Sequence, residues 1–178
     1  SFYRLSTKVH DSMVAVRKEV EMLDAYMSLM CYRYSDIIYR SEIEPGALDI
    51  EIPNFILQPL LENSLMHGLK DRRYQGTIIL KIYRNEQDKN ELNIWLIDDG
   101  IGIPDDKMAE LNAYNAKDSE TLYRVQTRTE GDRTHLGVIN VISRLKLYYQ
   151  ENAEVIYMRN ETGGTTVKIK IKTASEET

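Results

Sequence analysis

Leu57-Gln58-Pro59-Leu60-Leu61-Glu62-Asn63-Ser64-Leu65-Met66-His67-Gly68 is the stretch on which the reading of this chain turns. Leu57, Leu60, Leu61 and Leu65 recur at three and four, the period of one buried helix face. Asn63 and His67 stand one turn apart, so they share another face of the same helix, with Glu62 beside them. Gly68 is expected to close the helix in a left-handed C-terminal cap. Asn63 taken alone is a polar residue facing water. Its weight comes from two stretches further along.

The first is Asp98-Asp99-Gly100-Ile101-Gly102, which follows the alternating apolar residues Leu92, Ile94 and Leu96. A carboxylate at that strand end can accept a hydrogen bond from the exocyclic amine of adenine, and Gly100 and Gly102 leave no side chain in the way of a flat base. The second is His135-Leu136-Gly137-Val138-Ile139-Asn140, in which Gly137 is expected to open a helix whose unbonded N–H groups attract phosphate. A neutral amide oxygen at Asn63 suits Mg²⁺, which prefers oxygen and binds through few protein groups plus substrate phosphates. Together the three stretches read as one nucleotide site. Asp98 and Asp99 have no third ligand at metal spacing, and the isolated His67 and His135 read as hydrogen-bonded structural residues before they read as bases or zinc ligands.

A chain of 178 residues, 42% hydrophobic, can bury one main core. No apolar run approaches the roughly 20 residues of a membrane helix. The single cysteine, Cys31, sits among Leu29, Met30 and Tyr32 and reads as a buried thiol; it excludes an internal disulfide. A net charge of −5 with scattered lysines and arginines argues against nucleic acid as a partner.

From Asp11 to Tyr39 the positions Val16, Val20, Leu23, Met27, Met30 and Tyr34 predict a long amphipathic helix. Leu48, Ile50 and Ile52 after the turn Pro45-Gly46 predict a short strand or hairpin. Gly76 to Arg84 and Glu91 to Asp98 predict two strands of a hairpin. Pro104 to Thr134 has a weak pattern and reads as a long functional loop, with at most a short helix from Asp105 to Asn112. A helix from Leu136 to Tyr149 and strands at Glu154 to Arg159 and Thr165 to Lys172 complete an α+β chain. Residues 1–41 are expected to be part of a helical dimerisation and linker region, 42–173 the nucleotide-binding domain, and 174–178 a frayed tail.

This order of asparagine box, D-x-G-x-G, loop and glycine-led helix resembles the Bergerat ATP-binding fold of histidine kinases, Hsp90, type II topoisomerases and mismatch-repair ATPases. Leu57 to Gly68 is similar to the "QPLVENAIKHG" stretch of LytS/YesM-type sensor histidine kinases. Thr134-His135-Leu136-Gly137 with Asn140-Val141 and Arg144-Leu145 is similar to their "HIGLxNVxxRL" stretch. Gly163-Gly164-Thr165-Thr166-Val167 resembles their closing "GGTTV", and Glu19, Tyr26 and Arg33 match the helix before their ATP domain. The resemblance implies a mixed sheet with helices on one face, Asn63 as Mg²⁺ ligand and Asp98 as adenine reader. It also implies ATP contacts from His67, Gly100, Gly102, His135, Leu136, Gly137 and Thr165, and a lid between about 104 and 134. Glu62 is a candidate general base or metal-shell residue.

The resemblance further implies transfer of the γ-phosphoryl group to a histidine, a response regulator downstream, a homodimer in the full-length sensor, and a cytoplasmic portion of a bacterial inner-membrane protein. Two departures stand out. Met66 replaces the family's lysine, leaving His67 or Lys70 as substitutes. The family's "NPHFLFN" acceptor stretch is not found here, and His10 does not match it, so the acceptor is expected upstream of this fragment. Self-sufficient Bergerat ATPases carry a glutamate one turn before the asparagine, where this chain has Pro59. Alternative readings are another ATPase or protein-serine kinase of the same fold, and a degenerate nucleotide-binding or interaction module.

Overall fold

The computed structural model describes residues 13–128 and 133–173, except for the side chains at 119, 123, 126–128 and 133–135. The short strand β1 (Met13–Ala15) pairs antiparallel with β3 (Glu51–Pro53), flanking α1 (Val16–Arg33) and β2 (Ile37–Ile43). There follow α2 (Gln58–Asn63), β4 (Gly76–Arg84), β5 (Glu91–Asp98), α3 (Asp105–Ala113) and α4 (Ser119–Arg128). Last come α5 (Arg133–Tyr149), β6 (Ala153–Arg159) and β7 (Thr165–Lys172). The main sheet has five strands in the order β2-β4-β5-β7-β6, with β2 parallel to β4 and every other pair antiparallel.

Alternation along the strands places Ile78, Leu80, Ile82, Leu92, Ile94, Leu96, Val167, Ile169 and Ile171 on one face. Against them pack Val16, Val20, Leu23 and Met27 of α1, Leu60 and Leu61 of α2, and Val138, Ile139, Val141, Ile142 and Leu145 of α5. The opposite face stays wet, as antiparallel sheets allow. There Trp95 meets Tyr83 edge-on at 5.7 Å, and the Lys168 ammonium lies 4.0 Å from the Trp95 ring centre. This is the mixed α+β sheet with helices on one face that the resemblance implies.

A buried carboxylate ties α1 to α2. Glu19 is 1% exposed, and its oxygens accept the N–H groups of Phe55 at 2.7 Å, Ile56 at 3.2 Å and Leu57 at 3.2 Å. These donors belong to the entry of α2, whose own N-cap makes no side-chain bond. Glu19 thus does from another helix what a local cap does elsewhere.

Four expectations are corrected. The first helix ends at Arg33 and not at Tyr39: Tyr34 is extended, and the β-branched pair Ile37-Ile38 enters the sheet as the edge strand β2. Gly68 does not cap α2. The helix continues as a π-helical turn over Ser64–Leu69 and a 3₁₀ turn over Lys70–Arg72, and reverses at Arg73 and Tyr74, with φ of 56° and 60°. Tyr74 then stacks on Tyr34 with ring centres 3.9 Å apart, and its hydroxyl donates to the Met66 sulfur at 3.7 Å.

The third correction concerns the stretch after Pro104, which is helical through α3 and α4 and buries Leu111, Tyr114 and Leu122. Much of its attachment is polar. The Asn112 amide bonds both N–H and C=O of Tyr157 at 2.8 and 2.9 Å, and the Asn115 amide bonds those of Val155 at 2.9 and 2.6 Å. Fourth, α5 begins at Arg133, so Gly137 is its fifth residue rather than its first. A Cβ at Gly137 would lie 3.6 Å from that of Pro59, so the glycine faces the start of α2. His10 and residues 174–178 lie outside the described residues.

Candidate functional site

Asp98 continues the inward set Leu92, Ile94, Leu96, so the sheet's own alternation delivers a carboxylate into the apolar layer, where it is 2% exposed. Its Oδ1 accepts the N–H of Gly100 at 3.0 Å and of Thr165 at 3.2 Å, and the Ser64 side chain is also hydrogen-bonded to it. Burial pushes its pKa above the usual carboxylate value, and these donors pull against that. Asp99 turns the other way: its Oδ1 accepts the N–H of Thr77 at 2.8 Å, and its carbonyl accepts from Arg72. The adjacent acids are therefore not a metal pair.

The glycines around Asp98 serve close backbone packing. A Cβ on Gly100 would sit 2.5 Å from the Gly68 carbonyl carbon and oxygen, and one on Gly164 would sit 2.1 Å from the Asp98 carbonyl oxygen. The π turn after Asn63 thus rests directly on the D-x-G-x-G loop, and the Ile101 N–H donates to the Gly68 carbonyl at 3.1 Å. Such turns recur at functional sites. Gly100→Ala is expected to lower stability by about 1–3 kcal/mol through this backbone clash. A thermal melt should fall by several degrees, at roughly 2–4 °C per kcal/mol for a chain of this size.

Between the π turn, the D-x-G-x-G loop, α3 and the start of β7 lies a cavity of about 920 Å³. Its wall brings together Glu62, Asn63, His67, Asp98, Gly102 and Thr165 from the sequence reading. Gly100, Leu136 and Gly137 are not in the wall; from that part of α5 Val138 is. His135 is in the first turn of α5, and its side chain lies outside the described residues.

Glu62 is held at its Oε1 by the Gln58 amide at 2.9 Å. Burial, and then the Glu62 carboxylate, push the Tyr26 phenol above its usual pKa, so α1 also bears on this side of the site. Sequence reasoning missed Ser64, Lys107, Leu111 and Tyr157, all of which line the cavity. Ser64 was inside the quoted stretch but had no partner until Asp98 was folded against it. Lys107 and Leu111 belong to the short helix expected after Pro104, where nothing in the sequence turned them toward the site, and Tyr157 reads as an ordinary strand aromatic.

Comparison with known proteins agrees with this fold. Residues 49–175 match the family model described as histidine kinase-, DNA gyrase B-, and HSP90-like ATPase. The sensor protein LytS of Oceanobacillus iheyensis is 29% identical over 169 residues, 94% of this chain and 26% of that protein. LytS of Staphylococcus epidermidis is 30% identical, over 92% of this chain and 26% of that protein. This chain therefore spans about a quarter of the length of these relatives. Among solved structures, the catalytic domain of the histidine kinase ThkA superposes with a TM-score of 0.61 at 11% identity, covering 92% of this chain and 96% of that one. The Erythrobacter litoralis EL346 blue-light activated histidine kinase domain gives 0.55 at 19% identity, covering 92% and 64%. The chain belongs to the histidine kinase-, DNA gyrase B- and HSP90-like ATPase family, and its resemblance within that family is to LytS-type sensor proteins.

Proposed function

We propose that the chain binds Mg·ATP in the cavity beside Asp98 and serves as the ATP-binding catalytic part of a sensor histidine kinase, directing the γ-phosphoryl group to a histidine upstream of it. The observation that carries this reading is the caged Asp98 carboxylate facing one cavity with Asn63. Asp98 accepts the adenine amine, and Thr165 and Gly102 flank the base. Asn63 supplies a metal ligand. Among the described residues no cluster of three or more His, Cys, Asp or Glu is found, which suits a cation held by one amide oxygen and substrate phosphates. When bound, Mg²⁺ neutralises phosphate charge, so that phosphoryl transfer rests mostly on positioning.

Lys70 and Lys107 stand on the cavity wall beside His67 to meet phosphate, so a methionine at 66 does not leave the site without cations. With α5 starting at Arg133, its open N–H groups belong to the turn before Gly137, which carries His135 and ends at Leu136. Glu62, fixed by Gln58, is placed as base or metal-shell residue. Pro59 offers no base for water one turn before Asn63, which favours transfer to an imidazole over hydrolysis. The response regulator, the homodimer of the complete sensor and a position on the cytoplasmic side belong to this same reading. No described helix is long and apolar enough to cross a membrane.

The test supplies the missing acceptor. Radiolabelled ATP with this chain and a separate acceptor domain should give acid-labile phosphohistidine on that domain and no label on this chain. Rapid hydrolysis by the chain alone, or label on its serines, would instead favour an ATPase or protein-serine kinase. Asn63→Ala is expected to flatten the Mg²⁺ dependence of ATP binding in calorimetry while leaving metal-free binding close to wild type; matching Mg²⁺ curves would remove Asn63 from the site.

A further inference from the structure

The Tyr157 side chain is buried, with the residue 3% exposed, and its ring lies in the cavity wall beside Leu111, Val138 and Val167. Its backbone is fully engaged: N–H and C=O are bonded to the Asn112 amide, and the strand partner is Val167. The hydroxyl is different. No atom of the described residues stands in good hydrogen-bond geometry to it, and the polar group that bears on it is the Asn63 amide. A buried hydroxyl without a partner lowers stability, so phenylalanine would fill this place in the core at lower cost. An orphaned hydroxyl against the one amide assigned to the metal calls for a role in the loaded site.

We infer that Tyr157 is a positioning residue for Asn63: its hydroxyl accepts the Asn63 Nδ2–H, which turns the amide oxygen toward the cavity where a cation on the phosphates is held. The inference rests on the proposed Mg·ATP site. An asparagine amide presents oxygen on one side and nitrogen on the other, and without an outer partner either can face the cavity. Coordination draws electron density from the carbonyl oxygen and makes the Nδ2–H a stronger donor, so the cation and the hydroxyl reinforce one orientation. Outer partners of this kind typically change metal affinity about 10- to 100-fold.

The test compares wild type, Tyr157→Phe, Asn63→Ala and the double variant by calorimetry with ATP, in EDTA and across a Mg²⁺ titration, together with thermal melts of the free proteins. Tyr157→Phe should melt at or above the wild-type temperature, bind ATP in EDTA as wild type does, and need about tenfold more Mg²⁺ for half-saturation. It should add nothing in the Asn63→Ala background. A wild-type Mg²⁺ curve for Tyr157→Phe beside a shifted curve for Asn63→Ala would overturn this inference alone. Equal weakening of Tyr157→Phe with and without metal would also overturn it, since the hydroxyl would then support the pocket and not the amide. Unshifted curves for both variants would remove the metal role of Asn63 and this inference with it.

Discussion

Asp98→Ala should weaken ATP binding about ten- to hundredfold, the worth of a buried hydrogen bond to a charged group at about 1.5–3 kcal/mol. The cage built around this carboxylate gives its acceptor oxygens one fixed aim. Calorimetry on a variant shown to be folded by circular dichroism is the measurement, and unchanged affinity would remove Asp98 as the adenine reader. Acidification should act in the same direction. The pKa of Asp98 is raised, so the carboxylate gains its proton at a pH above the ordinary aspartate range and loses its acceptor role there. Binding should therefore decline on acidification before solvent-exposed aspartates titrate, and Asp98→Ala should lack this step.

The sign for folding is the reverse. A folded-state pKa above the unfolded one means the folded chain holds this proton more tightly. The contribution is fully present below the unfolded value and is lost as pH rises through the folded one, so the ionised Asp98 is a cost to stability at neutral pH. The site carries that cost for the sake of its ligand.

Glu19→Ala should produce the largest loss of stability of any single change considered, about 3–5 kcal/mol, because two buried N–H donors and a part-buried one at the entry of α2 lose their acceptor together. Phe55, held at φ 55°, loses one of its restraints in the same step. Urea unfolding gives the number. Glu19→Gln should recover only part of it, since an amide offers one oxygen where the carboxylate offered two. A loss below about 1 kcal/mol, within reach of an ordinary cap, would show that water replaces the carboxylate and that α1 does not hold α2.

The strands β4, β5 and β7 were legible because strict alternation leaves one reading for each. Asp98 was legible because it ended one of them. The edge strand β2 was not: Met30, Tyr34 and Ile37 continue a helical spacing, and only the parallel partner β4 makes Ile37–Ile43 extended. The short helix expected from Asp105 to Asn112 is α3, but the packing of this segment was hidden because asparagine amides on a strand edge do work that an apolar stripe would otherwise do, and such bonds leave no periodicity. Gly68 and Gly100 were read as a cap and as part of a base pocket. The structure adds a mutual contact between two backbones far apart in sequence, which no local pattern encodes. Tyr157 and Asn63 likewise come from distant segments, and neither residue alone announces the other.

Asn112 and Asn115 have a consequence for how this protein meets copies of itself. Sheets grow when an open strand edge on one molecule finds another, and endless growth requires two such edges per molecule. Here the β6 border is already read, base by base as it were, by two amides that imitate a neighbouring strand at Val155 and Tyr157. At the other border of the five-stranded sheet, β2 has no strand partner on its outer side among the described residues. The two amides thus occupy the β6 backbone groups at Val155 and Tyr157 that a neighbouring strand would otherwise bond, which works against sheet-to-sheet addition at that border.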